Sequence, residues 1–369
     1  MKFLINTFTH WKEPPRARHQ VTFTLSLNHQ VIFVAANKIG FPRLRLAKIN
    51  HNLNVLTPYF PIGNKIRYRL CMINELYQFW LFRRLFKKYK DFHVINFDFT
   101  AIKIYDYFKD VIFYCNDSFV AISKKINPAF IARYHQKCFS KVACEAMFCV
   151  AVSEILKMIL SQHNNDSYVI PLGSPDIEKF KLNVNRIPSK KSEINVGLVG
   201  FIKLYSISYN LINNLLENEN LIITLIGPIE GNFINHIKKK EKIIVKGPLF
   251  GKELYEEINK FDVAIAPYSA TITNDAQIGV GLGSKTYQYL ALGKPVVISY
   301  MAGLNDMKLP AGFIYIARKE EDFPELIYKA HRENNSELIK QRIEYAKNNT
   351  WEKRMEQLIE IYKKHDVSK

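Results

Sequence analysis

The stretch GVGLGSKTYQYLALGKPVVIS, Gly279–Ser299, decides how the chain is read. A glycine-rich start gives way at about Ser284 to a segment of helical periodicity, which ends at Gly293. PVVIS then has the β-branched run of a buried strand. A helix start offers N–H groups with no intrahelical partner and the positive end of a dipole, so a glycine loop leading into one suits a phosphate. Lys285 falls in the first turn, where a cation opposes the dipole. Its position makes sense if it also faces an anion; otherwise it is a solvated surface lysine. Gln288 and Tyr289 follow one turn later.

Outward from this stretch the same strand–turn–helix alternation repeats. INVGLVG (Ile194–Gly200), LIITLIG (Leu221–Gly227), KIIVKG (Lys242–Gly247), DVAIAP (Asp262–Pro267) and FIYIA (Phe313–Ala317) read as short buried strands. Gly197, Gly200, Gly227, Gly247–Pro248 and Pro267–Tyr268 lie in or just beyond them. Glycine there lets a ligand approach the backbone, or simply turns the chain. Four such ends in one domain favour a pocket rim. Two helices, Ser336–Asn348 and Trp351–Lys364, close the sequence. Upstream, NRIPSKKSE (Asn185–Glu193) is polar, contains Pro188 and has no apolar period, as a linker would.

The first half has strands KFLINTF, QVIFVA, LNVLTP, HVINF, VIFYCN, FCVAVS and YVIPL, with helical stretches such as Ile66–Lys90 and Pro128–Ala146 between them. Apolar strands separated by helices predict parallel sheets covered on both faces. The expected fold is α/β, with two Rossmann-like doubly wound domains facing a cleft. The domains span residues 1–185 and 194–348, joined by a linker at 186–193. Ligands in such sheets bind beyond the carboxyl ends of the strands.

At 369 residues, 48% apolar and 23% charged, the chain is ordinary globular material. Its five cysteines lie between Cys71 and Cys149 with no zinc-like spacing, which fits a reducing compartment. No apolar run reaches the roughly 18–20 residues of a membrane span, and no signal-peptide pattern is present. The net charge of +18 is unevenly spread. Residues 1–190 hold 28 basic and 12 acidic side chains, and the remainder 24 and 22. A basic half beside a neutral one points to a polyanionic partner: nucleic acid, an anionic membrane surface or a phosphate-bearing substrate. The helical stretch Tyr68–Lys90 ends in Arg83, Arg84, Lys87, Lys88 and Lys90. Its apolar face reads as core. Its basic end, which the helix dipole would also suit, is expected to contact an anionic membrane surface.

The GSKTYQYLALGKPVV segment resembles the donor-nucleotide helix of GT-B-fold glycosyltransferases, roughly P-x-K-x-x-E-Y-x-A-x-G-K-P-V-V. VGLVGFIK (Val196–Lys203), LIGP, the block Lys246–Tyr268, VSEIL (Val152–Leu156) and IPLGSPDIEKF (Ile170–Phe180) agree with that family in order and spacing. The segment 349–369 resembles the terminal helix that in this fold packs back on the N-domain. W…P-x-R-x-R-H (Trp11–His19) and FYCND resemble the GumK-like and TuaH-like glucuronosyltransferase and teichuronic acid branch. Retaining members of the wider group carry two glutamates, which correspond to Val280 and Gln288 here. The first carboxylate is absent and the second is an amide, so the resemblance favours the inverting branch.

Inversion needs one base on the acceptor side. Asp117, after strand VIFYCN, is the candidate, with His19 in reserve; as an alternative, Asp117 is a helix N-cap before SFVAIS. Donor contacts are expected from Gly200, Lys203, Gly227, Pro248, Tyr268, Ser284, Lys285 and Gln288. Acceptor contacts are expected from Arg16, Arg18 and His19, whose stretch reads equally as a basic helix start. Lys285, Lys203 and the helix start would take up the leaving-group charge, with no metal and no cofactor. The resemblance implies a glycosyltransferase using a nucleotide-sugar donor, a UDP-sugar in preference to others, and a glycan or lipid-linked acceptor. It would work in the cytoplasm, peripheral on the inner face of the cell membrane. The competing readings are a GT-B-like epimerase or a non-catalytic sugar-nucleotide binder. Nucleic-acid binding is disfavoured, because no helix-turn-helix, RNP, KH or zinc-finger pattern occurs.

Overall fold

The computed structural model describes residues 1–182, 193–273, 281–305 and 309–367. Two compact units result: Met1–Pro171 together with Arg354–Lys369, and Leu172–Lys353. Apart from Glu193, the expected linker 186–193 lies outside the described residues.

The first unit is built on strands β1 (Lys2–Asn6), β2 (Gln30–Val34), β3 (Lys38–Ile39), β4 (Arg43–Lys48), β5 (Leu53–Phe60), β6 (His93–Asn96), β7 (Val111–Cys115), β8 (Phe148–Ala151) and β9 (Ser167–Val169). Their order is β3-β5-β2-β1-β6-β7-β8-β9, parallel throughout, with β4 antiparallel on β5. The central strand β7, VIFYC, is buried at every residue, as expected of a strand covered on both faces. β4 is an addition to the expected pattern. Its RLRLAK alternation is that of a half-buried strand, yet nearly all of it is exposed. Pro58 sits inside β5, opposite Leu44 of this edge ribbon.

The stretch 66–90 is not one helix. A short turn Asn64–Arg67 is separated from the helix Cys71–Tyr89 by Tyr68–Leu70. The break is held from outside: the Tyr68 hydroxyl donates to Asp98 Oδ2 (2.6 Å), and its carbonyl bonds His135 Nε2 (2.9 Å). The chain's last helix, Trp351–Val367, joins the first unit from Arg354 onward. Tyr362 pairs with His93 Nδ1 (2.7 Å) at the start of β6, and the His365 ring stacks on Phe148 at the start of β8.

The second unit has six parallel strands: β10 (Ile194–Val199), β11 (Leu221–Ile226), β12 (Ile243–Gly247), β13 (Val263–Ala266), β14 (Val296–Ser299) and β15 (Ile314–Ala317). They run in the order β12-β11-β10-β13-β14-β15. Alternate residues serve two cores, one on each face. Val263 and Ile265 join Leu211, Leu215 and Ile327, whereas Ala264 joins Leu254, Ile258 and Leu290. Gly197 belongs to this packing and not to a ligand. A Cβ there would fall 2.0 Å from the Phe261 ring. The expectation that Gly197 helps to clear backbone for a ligand is therefore corrected: its missing side chain is filled by Phe261.

Gly197→Ala should thus overpack the core and lower stability by about 1–3 kcal/mol. Phe261→Leu in the same chain should recover part of the loss. Urea unfolding of the three proteins measures both, and an unchanged midpoint for Gly197→Ala would show that the Phe261 contact is not tight.

Candidate functional site

In each sheet the strand order reverses once, between β1 and β6 and between β10 and β13. A reversal sends the two flanking connections to opposite faces and leaves a crevice beyond the carboxyl ends of those strands.

In the second unit the crevice is floored by glycine backbone. Gly200 ends β10 with φ +137, and Gly227 ends β11 with φ +128. A Cβ on Gly227 would stand 2.1 Å from the Gly200 carbonyl oxygen, so neither position admits a side chain cheaply. The Gly227 N–H continues the contact to the Gly247 carbonyl (2.7 Å). The helix Ser284–Ala291 starts from Gly283 and is pinned to β10 where the Val199 N–H donates to the buried Tyr289 hydroxyl (2.7 Å). That bond delivers Lys285 to the crevice. Its ammonium lies about one van der Waals contact, 3.1 Å, from where a Gly200 Cβ would be, and 5.4 Å from the Tyr268 ring centre. Among the described residues no carboxylate pairs with it. Burial alone pulls its pKa down to about 8. Gly283 leaves the room that Tyr268 uses, since a Cβ there would meet its hydroxyl at 3.3 Å.

The structure thus brings Gly200, Gly227, Tyr268 and Lys285 together. Ser284 is exposed at the first helical position, and Gln288 is half-buried one turn on. Pro248 is exposed beyond β12. Lys203 lies over two rings of its own loop, 4.1 Å from the Phe201 centroid and 5.5 Å from that of Tyr205. Val280 lies outside the described residues.

In the first unit the two switch-point strands are tied by Asn6 Nδ2 donating to Asn96 Oδ1 (2.8 Å). Beyond them stands Arg18, 3% exposed, with Nη1 on Thr9 Oγ1 (2.6 Å) and its guanidinium 4.0 Å over the Phe8 ring. Its buried Nε has no partner among the described residues. Burial and the neighbouring Arg16 lower its pKa to about 10, against the pull of Asp117, Tyr68 and Asp98. It is therefore charged at neutral pH.

Asp117 is half-buried directly after β7, and its Oδ1 accepts the Ser118 N–H (2.9 Å). Burial raises its pKa, partly offset by that bond and by Arg18 and Arg16. The N-cap of the following helix Phe119–Ile126 is Ser118, not Asp117, which corrects the alternative structural reading. The side-chain oxygens of Asn116 and Ser118 on either side are buried and unpartnered among the described residues.

His19 behaves differently. Its Nδ1 accepts the Arg16 N–H (3.2 Å), and its Nε2 faces the His10 carbonyl (3.3 Å). The ring is stacked on Phe33, and burial lowers its pKa to about 4. Nδ1 is engaged in starting the helix Ala17–Ser26 and Nε2 with the loop carbonyl of His10, so His19 has no free lone pair for a base and no free donor for an acceptor. Arg16 is exposed and turned towards Glu13 (3.5 Å). Sequence reasoning misses Asp98, Tyr68, Phe8 and Thr9. Asp98 has no second carboxylate in register, and its real partners are a phenol and Thr100, which no spacing rule announces.

Solved structures resemble the chain over its whole length. Sucrose-phosphate synthase from Thermosynechococcus elongatus superposes with a TM-score of 0.74 at 11% identity, covering 100% of this chain and 99% of that one. WaaG, a glycosyltransferase involved in lipopolysaccharide biosynthesis, gives 0.67 at 11%, covering 98% and 99%. HepE from Anabaena, solved in complex with UDP, gives 0.66 at 11%, with the same coverage of 98% and 99%. Residues 210–360 match a family model described as glycosyl transferase-like. A comparison with curated proteins gave no match. The fold is that of the GT-B structures.

The low pKa of Lys285 has a measurable consequence. Its ammonium is present below about pH 8 and is lost above it. The affinity of the free protein for a nucleoside diphosphate should therefore fall as pH rises through about 8. Lys285→Arg, which stays charged, should abolish that fall. Calorimetric titration with UDP on both sides of this pH tests it, and a flat profile for the native protein would separate Lys285 from the anion.

Proposed function

We propose that the protein transfers a sugar from a UDP-sugar, UDP-glucuronate among the candidates, to a membrane-associated glycan or lipid-linked acceptor in surface polysaccharide synthesis. On this reading it falls with the GumK-like and TuaH-like branch, which Trp11–His19 and FYCND resemble. The observation that carries the reading is Lys285: a cation without an acidic partner among the described residues, aimed at bare glycine backbone at a switch point. A half-buried charge without a partner is costly unless a ligand completes it. A diphosphate does so, and UDP is the ligand of the HepE structure of this fold.

In the proposed step, Asp117 takes the proton of an acceptor hydroxyl as that oxygen attacks the anomeric carbon. The bond from the anomeric carbon to the β-phosphate oxygen breaks. The charge that passes to UDP is met by Lys285 and the N–H groups of the helix start at Ser284, with no metal ion and no cofactor. Attack opposite to the leaving group inverts the anomeric centre. Arg18, with its open Nε, and Arg16 hold an anionic group of the acceptor. Gln288 and Tyr268 complete the donor side, and Lys203, Gly227 and Pro248 its rim.

On this reading the protein works on the inner membrane face. The helix Cys71–Tyr89 buries Tyr77, Leu81, Phe82 and Leu85 as core. It also exposes Met72, Leu76, Phe79 and Phe86, spaced as one stripe, beside Arg83 and Lys87. An exposed apolar stripe edged by cations suits an anionic lipid surface. No helix among the described residues is long and apolar enough to cross a membrane.

Asp117→Asn should keep donor affinity and lower turnover by about 10²–10⁴-fold, the usual worth of a positioned base. Lys285→Ala should weaken UDP far more than uridine. Activity should persist in EDTA, with a product of anomeric configuration opposite to that of the donor. Near-native turnover by Asp117→Asn, or a retained configuration, would end the inverting scheme. Turnover of the UDP-sugar without any acceptor would point to an epimerase instead.

A further inference from the structure

A second cavity in the first unit lies outside the residues assigned above. It measures about 620 Å³ and opens beyond the carboxyl ends of β2 and β5, beside His10 of the loop that follows β1. Asn37, Lys38, Ile39, Gly63, Lys65 and Ile66 form most of its wall. Its floor is rigid. Asn37 donates to the Ile62 carbonyl (2.9 Å) and accepts from Arg67 Nε (3.2 Å). Arg67 is 2% exposed and lies flat against Tyr77 (4.0 Å) and Tyr68 (4.5 Å), and a further hydrogen bond goes to the Asn74 amide. The Arg67 charge thus lies behind Asn37 with neutral hydrogen-bond partners, offset in part by the Asp98 carboxylate.

The walls add to that charge. Lys38 and Lys65 are both exposed, and neither has an ion pair among the described residues. Among those residues no acidic side chain lines the cavity. The nearest carboxylate in sequence, Glu13, caps the His10 N–H (3.0 Å) and faces Arg16. The rim is of the opposite character. Ile39 is 72% exposed and Ile66 57%, and Phe41, two residues beyond Ile39 in sequence, is 82% exposed. Ile39 packs over Gly63, where a Cβ would stand 3.2 Å from it. A largely apolar wall with two exposed lysines on it matches a ligand with an apolar tail and an anionic head. A sugar phosphate alone would leave Ile39 and Phe41 without purpose.

The cavity also adjoins the acceptor side of the reaction. His10 follows Thr9, which holds Arg18, and Arg18 interacts electrostatically with Asp117. We propose that this cavity binds the phosphate or diphosphate of a lipid-linked acceptor, with Lys38 and Lys65 on its oxygens and Ile39, Phe41 and Ile66 against the first units of its chain. The sugar beyond the phosphate is then presented towards Arg18 and Asp117. This inference rests on the reading of the acceptor as lipid-linked.

The test uses the full chain and phosphatidylcholine vesicles of two kinds, one doped with a polyprenyl phosphate and the other brought to the same surface charge with phosphatidylglycerol. The native protein should prefer the polyprenyl phosphate vesicles by at least about tenfold, the scale of a lost charge-assisted contact. Lys38→Ala/Lys65→Ala should lose that preference while keeping its melting temperature, because both side chains are exposed. A soluble prenyl phosphate should compete, and glycerol phosphate should do so far less. Equal binding to the two surfaces would reduce the cavity to general lipid attraction and overturn the proposal, as would a preference that survives in the double variant. Equal competition by glycerol phosphate would make it a plain phosphate site and overturn the proposal as well. The vesicle measurement needs no turnover. If the preference holds and no sugar is transferred to any acceptor, the cavity stands and the transferase reading falls.

Discussion

A parallel sheet buried on both faces commits its backbone to the ladder and its side chains to two cores. Val263, Ala264 and Ile265 show this within three residues, alternating between the clusters on the two faces. Only the strand ends remain for chemistry, and only where the strand order reverses do those ends part enough to admit a ligand. Everything that bears on function here follows from that constraint. Gly200 and Tyr268 stand beyond β10 and β13, and Arg18 and Asp98 stand beyond β1 and β6. The elements between them serve mainly to hold these ends in place, as the bond from Val199 to Tyr289 does for the helix carrying Lys285.

The two units solve their electrostatics differently. In the second, one cation is held against glycine backbone and an aromatic face, and burial lowers its pKa because no carboxylate among the described residues compensates it. Such a group is prepared for an anion before the anion arrives, so little reorganisation remains to be done on binding. In the first, Arg18, Asp117, Asp98 and Tyr68 offset one another, and the burial that raises Asp117 also lowers Arg18. A carboxyl with a raised pKa is a stronger base once ionised, and the neighbouring guanidinium offsets part of that rise. The orphaned oxygens of Asn116 and Ser118 and the open Arg18 Nε are unmet needs that substrate groups can satisfy.

Most strands of both sheets are legible in the sequence because their apolar runs are continuous, and four in the second unit also end in glycine or proline; the Lys285 helix is legible from its glycine loop. What escapes reading has physical causes. β4 alternates Arg and Leu, yet it is an exposed edge ribbon, so burial gives no signal. The break at Tyr68 is imposed by Asp98 and His135, residues thirty and more positions away, and local propensity does not carry it. Gly197 and Gly200 are near neighbours of the same type, but one accommodates a phenyl ring and the other faces an ammonium. His19 looks available as a base because sequence shows residue type and not the hydrogen bonds that occupy both of its nitrogens.

The uneven charge of the chain fits the division of labour proposed for its two halves. Capturing a diphosphate takes one well-placed cation and a row of N–H groups, and a domain that does so can stay near neutrality, as residues 191–369 do. Working on an acceptor at a surface is a different problem, because attraction to a plane of charge grows with the number of cations that reach it and fades within a Debye length. The surplus of basic residues lies in the first half, and so do most of the exposed large apolar side chains, from Phe41 and Met72 to Phe130. Charge alone would fit nucleic acid as well as lipid. The bare aliphatics do not fit nucleic acid: a phosphate backbone gives Ile39, Met72 and Leu76 nothing to bury against, whereas a bilayer does. Taken together, cations and exposed apolar groups on one unit favour an amphiphilic partner over a purely ionic one.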